Sequence, residues 1–314
     1  VSTGLTCGID IGGTKIAGAL VAVDGTITSE ARVVSPASDP AAIEAAVAGL
    51  VAQLVAVHPV DAVGVGAAGY VASDRSTVLF APNIAWRREP LGAEIARLTG
   101  LPVVVENDGN AAAWGEFRFG AGREHHDQLM VTVGTGVGGG VVSGGRLVRG
   151  THGVAGEIGH LRLVPDGRLC GCGNHGCLEQ YGSGSALVRE AREQATTNLR
   201  ARDLLDRVGG DASMINGPLV TLAAREGDLF AIELLAGLGD ALGQGIASLC
   251  AVLDPGVVVI GGGVSDAGDL LLQPLRAAFE RELTGRGFRP EAEIRLAQMG
   301  GRAGVVGAAD LARV

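Results

Sequence analysis

Hydrophobic positions follow two periods along this chain, and the switches between them mark its elements. In "LTCGIDIGGTKIAGALVAVDGTITSEARVVS" short apolar runs broken by glycine predict a strand, a tight turn, a second strand, and a third strand after "VDG". The pattern then becomes helical through "DPAAIEAAVAGLVAQLVAVH". A buried strand follows in "DAVGVGAAGYV", a loop around "LFAPNIAW", a helix in "PLGAEIARLTG" and a short strand "PVVVEN". Strands alternating with helices predict an α/β sheet covered by helices.

The opening pattern then returns. "DQLMVTVGTGVGGGVVSGGRLVRG" is again strand, glycine turn, strand, turn, strand, and it aligns in style with "LTCGIDIGGTKIAGALVAVDGTI". Two related halves are one explanation, and two unrelated glycine-rich hairpins the other. Helical stretches at about 185–207 and 215–252 lead to "PGVVVIGGGVSDAG", a strand entering a third glycine loop. The strand "AEIRLAQ" and a helix after "GGRAG" close the chain. The expected division is a smaller domain over 1–107, completed by a C-terminal helix over 302–314, and a larger one over 108–301.

At 314 residues the chain exceeds one ordinary core, in keeping with two domains. Fifty-two glycines without a collagen period, beside a 47% hydrophobic content, point to tight turns and close backbone approaches. A net charge of -9 and the absence of any basic stripe argue against a nucleic-acid surface; Lys15 is the only lysine. The most apolar stretch, 219–254, is interrupted by Arg225, Glu226, Asp228, Glu233 and Asp240, so no membrane span is expected. The first residues lack a signal-peptide pattern, and cytoplasmic residence with reduced cysteines is the expectation.

Three glycine loops follow buried strands: Asp10 to Lys15, Gly134 to Gly139 and Gly261 to Gly263. Each exposes backbone N–H groups with no side chain in the way, which suits phosphate oxygens, and each alone is equally a plain turn. None is a Walker A motif, and the first two enter strands where a dinucleotide fingerprint must enter a helix. Together they suggest a nucleoside triphosphate, with Asp10 orienting a hydrated Mg²⁺ and Thr14 and Thr135 offering hydroxyls.

"VVVENDGNAAAWGE" places Asn107 and Asp108 where an apolar strand meets a helix. Asp108 is either a helix-capping acid or a base, since ligands of α/β proteins gather at the carboxyl ends of strands. A carboxylate there accepts a proton from an alcohol attacking phosphorus. Asn107 suits a sugar hydroxyl, donating or accepting.

Three of the five cysteines fall within "CGCGNHGC", with His160 ten residues upstream. His160, Cys170, Cys172 and Cys177 make the Cys₃His set of a closed structural zinc site, with His175 as the competing nitrogen. C-x-C lacks the spacing of a thioredoxin-like redox centre. A filled coordination shell leaves the metal no catalytic role; it pins a loop, holding Glu157 and Glu179 as acceptors for sugar hydroxyls.

Taken together, "DIGGTK", "ENDGNAAAWGE", "VTVGTGVGGGVV", "GEIGH" and "CGCGNHGCLE" resemble the ROK family (repressors, open reading frames, kinases), and within it the bacterial glucokinases. The likeness spans almost the whole chain. It implies the actin-like, hexokinase-like ATPase fold with duplicated ribonuclease H-like domains closing on ATP–Mg²⁺ and a sugar, assembled as homodimers or homotetramers. It implies ATP-dependent phosphorylation of glucose, with fructose, mannose, allose or N-acetylmannosamine as alternative acceptors, or else a silent sugar sensor. The family's base falls on Asp108, and its sugar-binding positions fall on Asn83, Asn107, Glu157, His160 and Glu179. Its phosphate-loop positions fall on Asp10, Gly12, Gly13, Thr14 and Lys15, on Gly134, Thr135, Gly136 and Gly138, and on Gly261, Gly262 and Gly263 beside the nucleoside. His160 would divide its two ring nitrogens between zinc and sugar. The first strand begins within ten residues of the start, so a preceding DNA-binding module is not expected.

Overall fold

The computed structural model describes residues 4–81 and 84–314, in two compact units. The first runs through Met130 and includes Gly139–Gly156 and Ala297–Val314; the second comprises Val131–Gly138 and Glu157–Leu296.

Strands β1 (Leu5–Ile11), β2 (Lys15–Ala22) and β3 (Ile27–Val34) form the expected antiparallel meander. Helix α1 (Pro40–Val55) starts on Asp39, whose side chain accepts from the Ala42 N–H, with proline at its first position. It returns the chain to β4 (Val63–Ala67), parallel to β1. Three short strands, β5 (Tyr70–Val71), β6 (Val78–Phe80) and β7 (Arg87–Glu89), form a separate small sheet that hydrophobic patterning did not reveal. Helix α2 (Leu91–Thr99) ends on the left-handed Gly100 and leads into β8 (Val103–Asn107), parallel to β4, and then α3 (Asp108–Phe119). The sheet order is β3-β2-β1-β4-β8.

The second sheet repeats that order with β9 (Gln128–Val133), β10 (Val137–Ser143) and β11 (Arg146–Leu147), joined later by β12 (Val257–Gly261) and β13 (Glu293–Leu296), as β11-β10-β9-β12-β13. The repeated strand order carries the two related halves. Between its strands lie α4 (Glu179–Gly182), α5 (Gly184–Ala195), α6 (Arg202–Asp206), α7 (Gly217–Arg225) and α8 (Leu229–Leu253). The helix expected over 215–252 is therefore two. Gly227 turns at φ 93°, and Asp228 caps the new helix by accepting from the Ala231 N–H. The stretch expected over 185–207 breaks likewise, at Thr196–Asn198, between α5 and α6.

After β12 (Val257–Gly261) comes α9 (Asp269–Glu282), which the sequence did not announce because Pro274 lies inside it. Strand β13 (Glu293–Leu296) and α10 (Ala303–Leu311) complete the chain. Helix α8 is the one helix among the described residues long and apolar enough to cross a membrane, yet it packs along α9. Its Gly243 permits the approach, since a Cβ there would meet the Leu275 carbonyl oxygen at 2.3 Å.

Helix α10 lies on the first sheet and on α3, where a Cβ at Gly307 would meet the Ala111 carbonyl oxygen at 1.8 Å. The structural division falls within β9 and β10 rather than after residue 107. Helix α3 packs against α10 more than against anything in the second unit, which keeps 108–130 with the first.

Candidate functional site

In the first unit, the turn from β8 to α3 decides between the two roles open to Asp108. Asn107 is the helix cap: its Oδ1 accepts from the Asn110 N–H at 3.0 Å, and its Nδ2 donates to the Gly69 carbonyl oxygen at 3.0 Å. Asp108 is thereby released from capping. Its Oδ1 accepts from its neighbour's Gly109 N–H at 2.9 Å and from Asn107 Nδ2 at 3.2 Å. Burial pushes the Asp108 carboxyl above the ordinary carboxylate range, against the opposing pull of the Gly109 N–H and of its own backbone N–H.

Asp10, at the end of β1, is close enough to Asp108 for their charges to interact. Its pKa is pushed from 3.8 to about 6 by burial first and then by the Asp108 charge, with Lys15 opposing. Two partly buried carboxylates whose charges interact suit a divalent cation. The turn that follows, Gly12 to Lys15, closes with the Gly12 N–H donating to the Lys15 carbonyl oxygen at 3.0 Å, and Gly13, Thr14 and Lys15 are exposed.

In the second unit, the loop Gly134–Gly138 and the loop Gly261–Gly263 meet, as their shared chemistry suggested. Gly262 sits at φ 85°, and a Cβ there would strike the Val133 carbonyl oxygen at 2.4 Å, so only glycine fits. Gly134, Thr135 and Gly263 line one wall of a cavity of about 980 Å³; Ser185, Arg189, Thr221, Arg225 and Asp266 line others. The start of α5 is tied to the loop by the Gly184 N–H donating to the Gly134 carbonyl oxygen at 2.8 Å. Sequence reasoning missed Ser185, Arg189, Thr221 and Arg225, because helix faces join the loops only in three dimensions. The glycine-serine run "GSGS" before α5 was the one local signal.

Also in the second unit, the donor atoms of His160, Cys170, Cys172 and Cys177 all lie within 4.8 Å of one another. Cys172 Sγ is 3.6 Å from Cys177 Sγ, and Cys170 Sγ is 3.7 Å from His160 Nδ1. A tetrahedral zinc with Zn–S bonds near 2.3 Å has edges of about 3.8 Å, so the cluster has the dimensions of that ion. His175 is outside it, with Nδ1 at 3.0 Å from the Gly167 carbonyl oxygen. His160 turns its other nitrogen, Nε2, toward Glu157 Oε2 at 3.9 Å. Glu179 Oε2 accepts from the Val137 N–H at 3.1 Å, and its Oε1 lies 4.0 Å from Cys170 Sγ. The carboxylate thus bridges the cysteine cluster and the second glycine loop. Asn83 lies outside the described residues.

The sequence model of the ROK family matches residues 6–314. A glucokinase of Streptomyces coelicolor is 51% identical over 311 residues, covering 99% of this chain and 98% of its own. The crystal structure of a ROK family glucokinase from Streptomyces griseus in complex with glucose and AMPPNP matches at TM-score 0.89 and 52% identity, over 99% of both chains. An N-acetylmannosamine kinase of Escherichia coli O157:H7 is 36% identical, over 91% of this chain and 94% of its own.

Proposed function

Because this chain belongs to the ROK family and has its hexokinase-like ATPase fold, we propose that it transfers the terminal phosphoryl group of ATP to the 6-hydroxyl of D-glucose. The products are glucose 6-phosphate and ADP. What carries the proposal is Asp108, a carboxylate freed from helix capping by Asn107 and raised in pKa by burial.

Asp108 accepts the proton as the sugar oxygen attacks phosphorus. A carboxylate with a raised pKa is the stronger base once ionised. Asn107 holds a sugar hydroxyl beside it, and Asn83, Glu157, His160 and Glu179 serve the remaining hydroxyls. The N–H groups of Gly134, Thr135, Gly136 and Gly138 hold phosphate oxygens, with Gly261, Gly262 and Gly263 beside the nucleoside. Asp10 would hold a hydrated Mg²⁺, and Gly12, Gly13, Thr14 and Lys15 would form a further phosphate loop. Bound Mg²⁺ supplies neutralisation of the phosphate charge. Zinc on His160, Cys170, Cys172 and Cys177 fixes the loop that carries Glu157 and Glu179, through a ring whose second nitrogen is thereby oriented. Homodimers or homotetramers and cytoplasmic residence belong to the same proposal.

The test is an assay of zinc-replete protein with Mg-ATP against separate sugars, following ADP and identifying each phosphorylated product. Turnover with glucose far above other hexoses is the expected result. Preference for N-acetylmannosamine or fructose would move the acceptor while keeping Asp108. Silence with every sugar, together with measurable sugar binding, would refute kinase activity.

A further inference from the structure

The carboxylate of Glu106 lies two residues before Asp108, and no step above uses it. It is 3% exposed, at the last full turn of the pleat in β8, where a charge must be fully partnered or costs several kcal/mol. Its partners are specific. Oε1 accepts from the Asn107 N–H at 3.1 Å and from Asn110 Nδ2 at 3.1 Å; Oε2 accepts from Arg149 Nε at 2.6 Å.

Those donors stand on either side of Asp108 in the chain. Asn107 caps α3 through the Asn110 N–H, and Asn110 is itself 1% exposed. Glu106 therefore closes a ring of hydrogen bonds, Glu106 to Asn107 to Asn110 and back, around the one peptide segment from which Asp108 projects. Asn110 Nδ2 donates to Glu106, whereas its Oδ1 is buried without a hydrogen-bond partner among the described residues. Removing the ring leaves the Asp108 backbone held by the helix it begins and by the cap alone.

Arg149 completes the arrangement from a distant part of the chain. It follows β11, and its carbonyl oxygen accepts from the Ala155 N–H at 3.0 Å, so it also folds the Gly150–Gly156 segment. Arg75 stands near the pair and is held by the carbonyl oxygens of Leu311 and Val314 at 2.9 and 3.0 Å. The carbonyl oxygen of Arg75 accepts from the Val105 N–H at 2.8 Å, one residue before Glu106. The base-bearing turn is thus anchored to two other segments of the first unit, to Arg149 through the buried Glu106 carboxylate and to Arg75 through the Val105 N–H.

We propose that Glu106, neutralised by Arg149, is a positioning residue for phosphoryl transfer: it touches no substrate and sets the position of Asp108 by fixing the β8–α3 turn. This rests on Asp108 being the base. An error of about 1 Å in a reacting group costs on the order of 100-fold in rate, which is the scale on which such a residue acts.

The geometry supplies a selective test. Arg Nε and the amide oxygen of Gln stand the same number of bonds from the backbone. Glu106→Gln keeps an acceptor for Asn107 and Asn110, but its amide N–H₂ faces the Arg149 Nε–H, donor against donor. Adding Arg149→Gln places an acceptor opposite that amide and restores the contact between positions 106 and 149 without charge. In the full-length, zinc-replete protein, Glu106→Gln is expected to lower kcat by about 10- to 100-fold while glucose KM changes by less than about threefold, and the double variant to recover most of the loss. Hydrogen exchange of peptides covering 103–112 is expected to quicken in the single variant and recover in the double, with peptides of β1 unchanged.

Should the single variant fail to fold, the double variant decides. A folded double variant with wild-type exchange and near-wild-type kcat supports positioning, and a folded one whose kcat stays low refutes it. A single variant within about twofold of wild-type kcat also refutes it. If the wild type phosphorylates no sugar, the kinase proposal fails on its own, and the exchange data alone then judge whether Glu106 fixes the turn.

Discussion

Replacing Asp10 by asparagine should make the protein more stable and inactive at once. Asp10 has its pKa moved from 3.8 to about 6 by burial and by Asp108. A raised carboxyl pKa means the folded state prefers the protonated form. That preference contributes stability fully below pH 3.8 and is lost as pH rises through 6. At neutral pH the wild type therefore carries an ionised carboxylate at a disfavoured site. The shift of about 2 units corresponds to about 3 kcal/mol at 1.36 kcal/mol per unit. Asparagine is neutral at every pH and nearly isosteric, so Asp10→Asn should gain stability over the wild type by about 1–2 kcal/mol at pH 5 and about 3 kcal/mol at pH 7.5. Urea unfolding without added Mg²⁺ at the two pH values measures the difference, and the sugar-kinase assay on the same preparations measures the loss of function. An asparagine variant less stable than the wild type at pH 7.5, or one whose advantage does not grow with pH, would refute the account of Asp10 as a strained carboxylate kept for its ligand.

Other substitutions read out separate parts of the site. Asp108→Asn should lower kcat by about 10²- to 10⁴-fold with sugar binding nearly intact, as calorimetry would show, because the proton acceptor is gone and the turn remains. Cys172→Ser should take bound zinc well below one ion per chain by metal analysis and weaken glucose binding, since a tetrahedral site loses a thiolate. Glu116 is fully buried, and its carboxylate accepts from the Ala121, Gln298 and Met299 N–H groups at 2.9, 3.1 and 2.7 Å. Glu116→Ala should therefore cost about 2–4 kcal/mol in urea unfolding by leaving those donors buried and unpaired, while Glu116→Gln should cost less.

Much of the site was legible because its chemistry is local in sequence. The four proposed zinc ligands fall within eighteen positions, and the geometry drew their donor atoms together while leaving His175 aside. The three glycine loops announced themselves by buried strands before them. Asp108 was harder: the same residue at a strand-to-helix junction is a cap as readily as a base, and only the Asn107 to Asn110 hydrogen bond settles which residue caps. The anchoring of Glu106 by Arg149 had no sequence signal at all, since forty-three positions separate the partners.

The fold divides in the same way. Periodicity located α1, α2, α3 and the strands of both sheets, because each buries one face or a whole short run. It lost α9 to Pro274, and it ran α7 and α8 together because their apolar stripes continue across Gly227, whose left-handed backbone breaks the helix without changing composition.

By itself, the sequence determined the family, the duplicated α/β plan, the cysteine and histidine cluster proposed to hold zinc and the identity of the candidate base, all carried by contiguous patterns whose residue types admit few other uses. Only the tertiary structure decided where the two units divide, which loops share the 980 Å³ cavity, and which buried partner meets Glu106 beside the Asp108 turn. Those depend on contacts between distant segments. Local preferences set the shape of each segment, whereas the burial of apolar surface and the need to satisfy every buried polar group choose which segments meet.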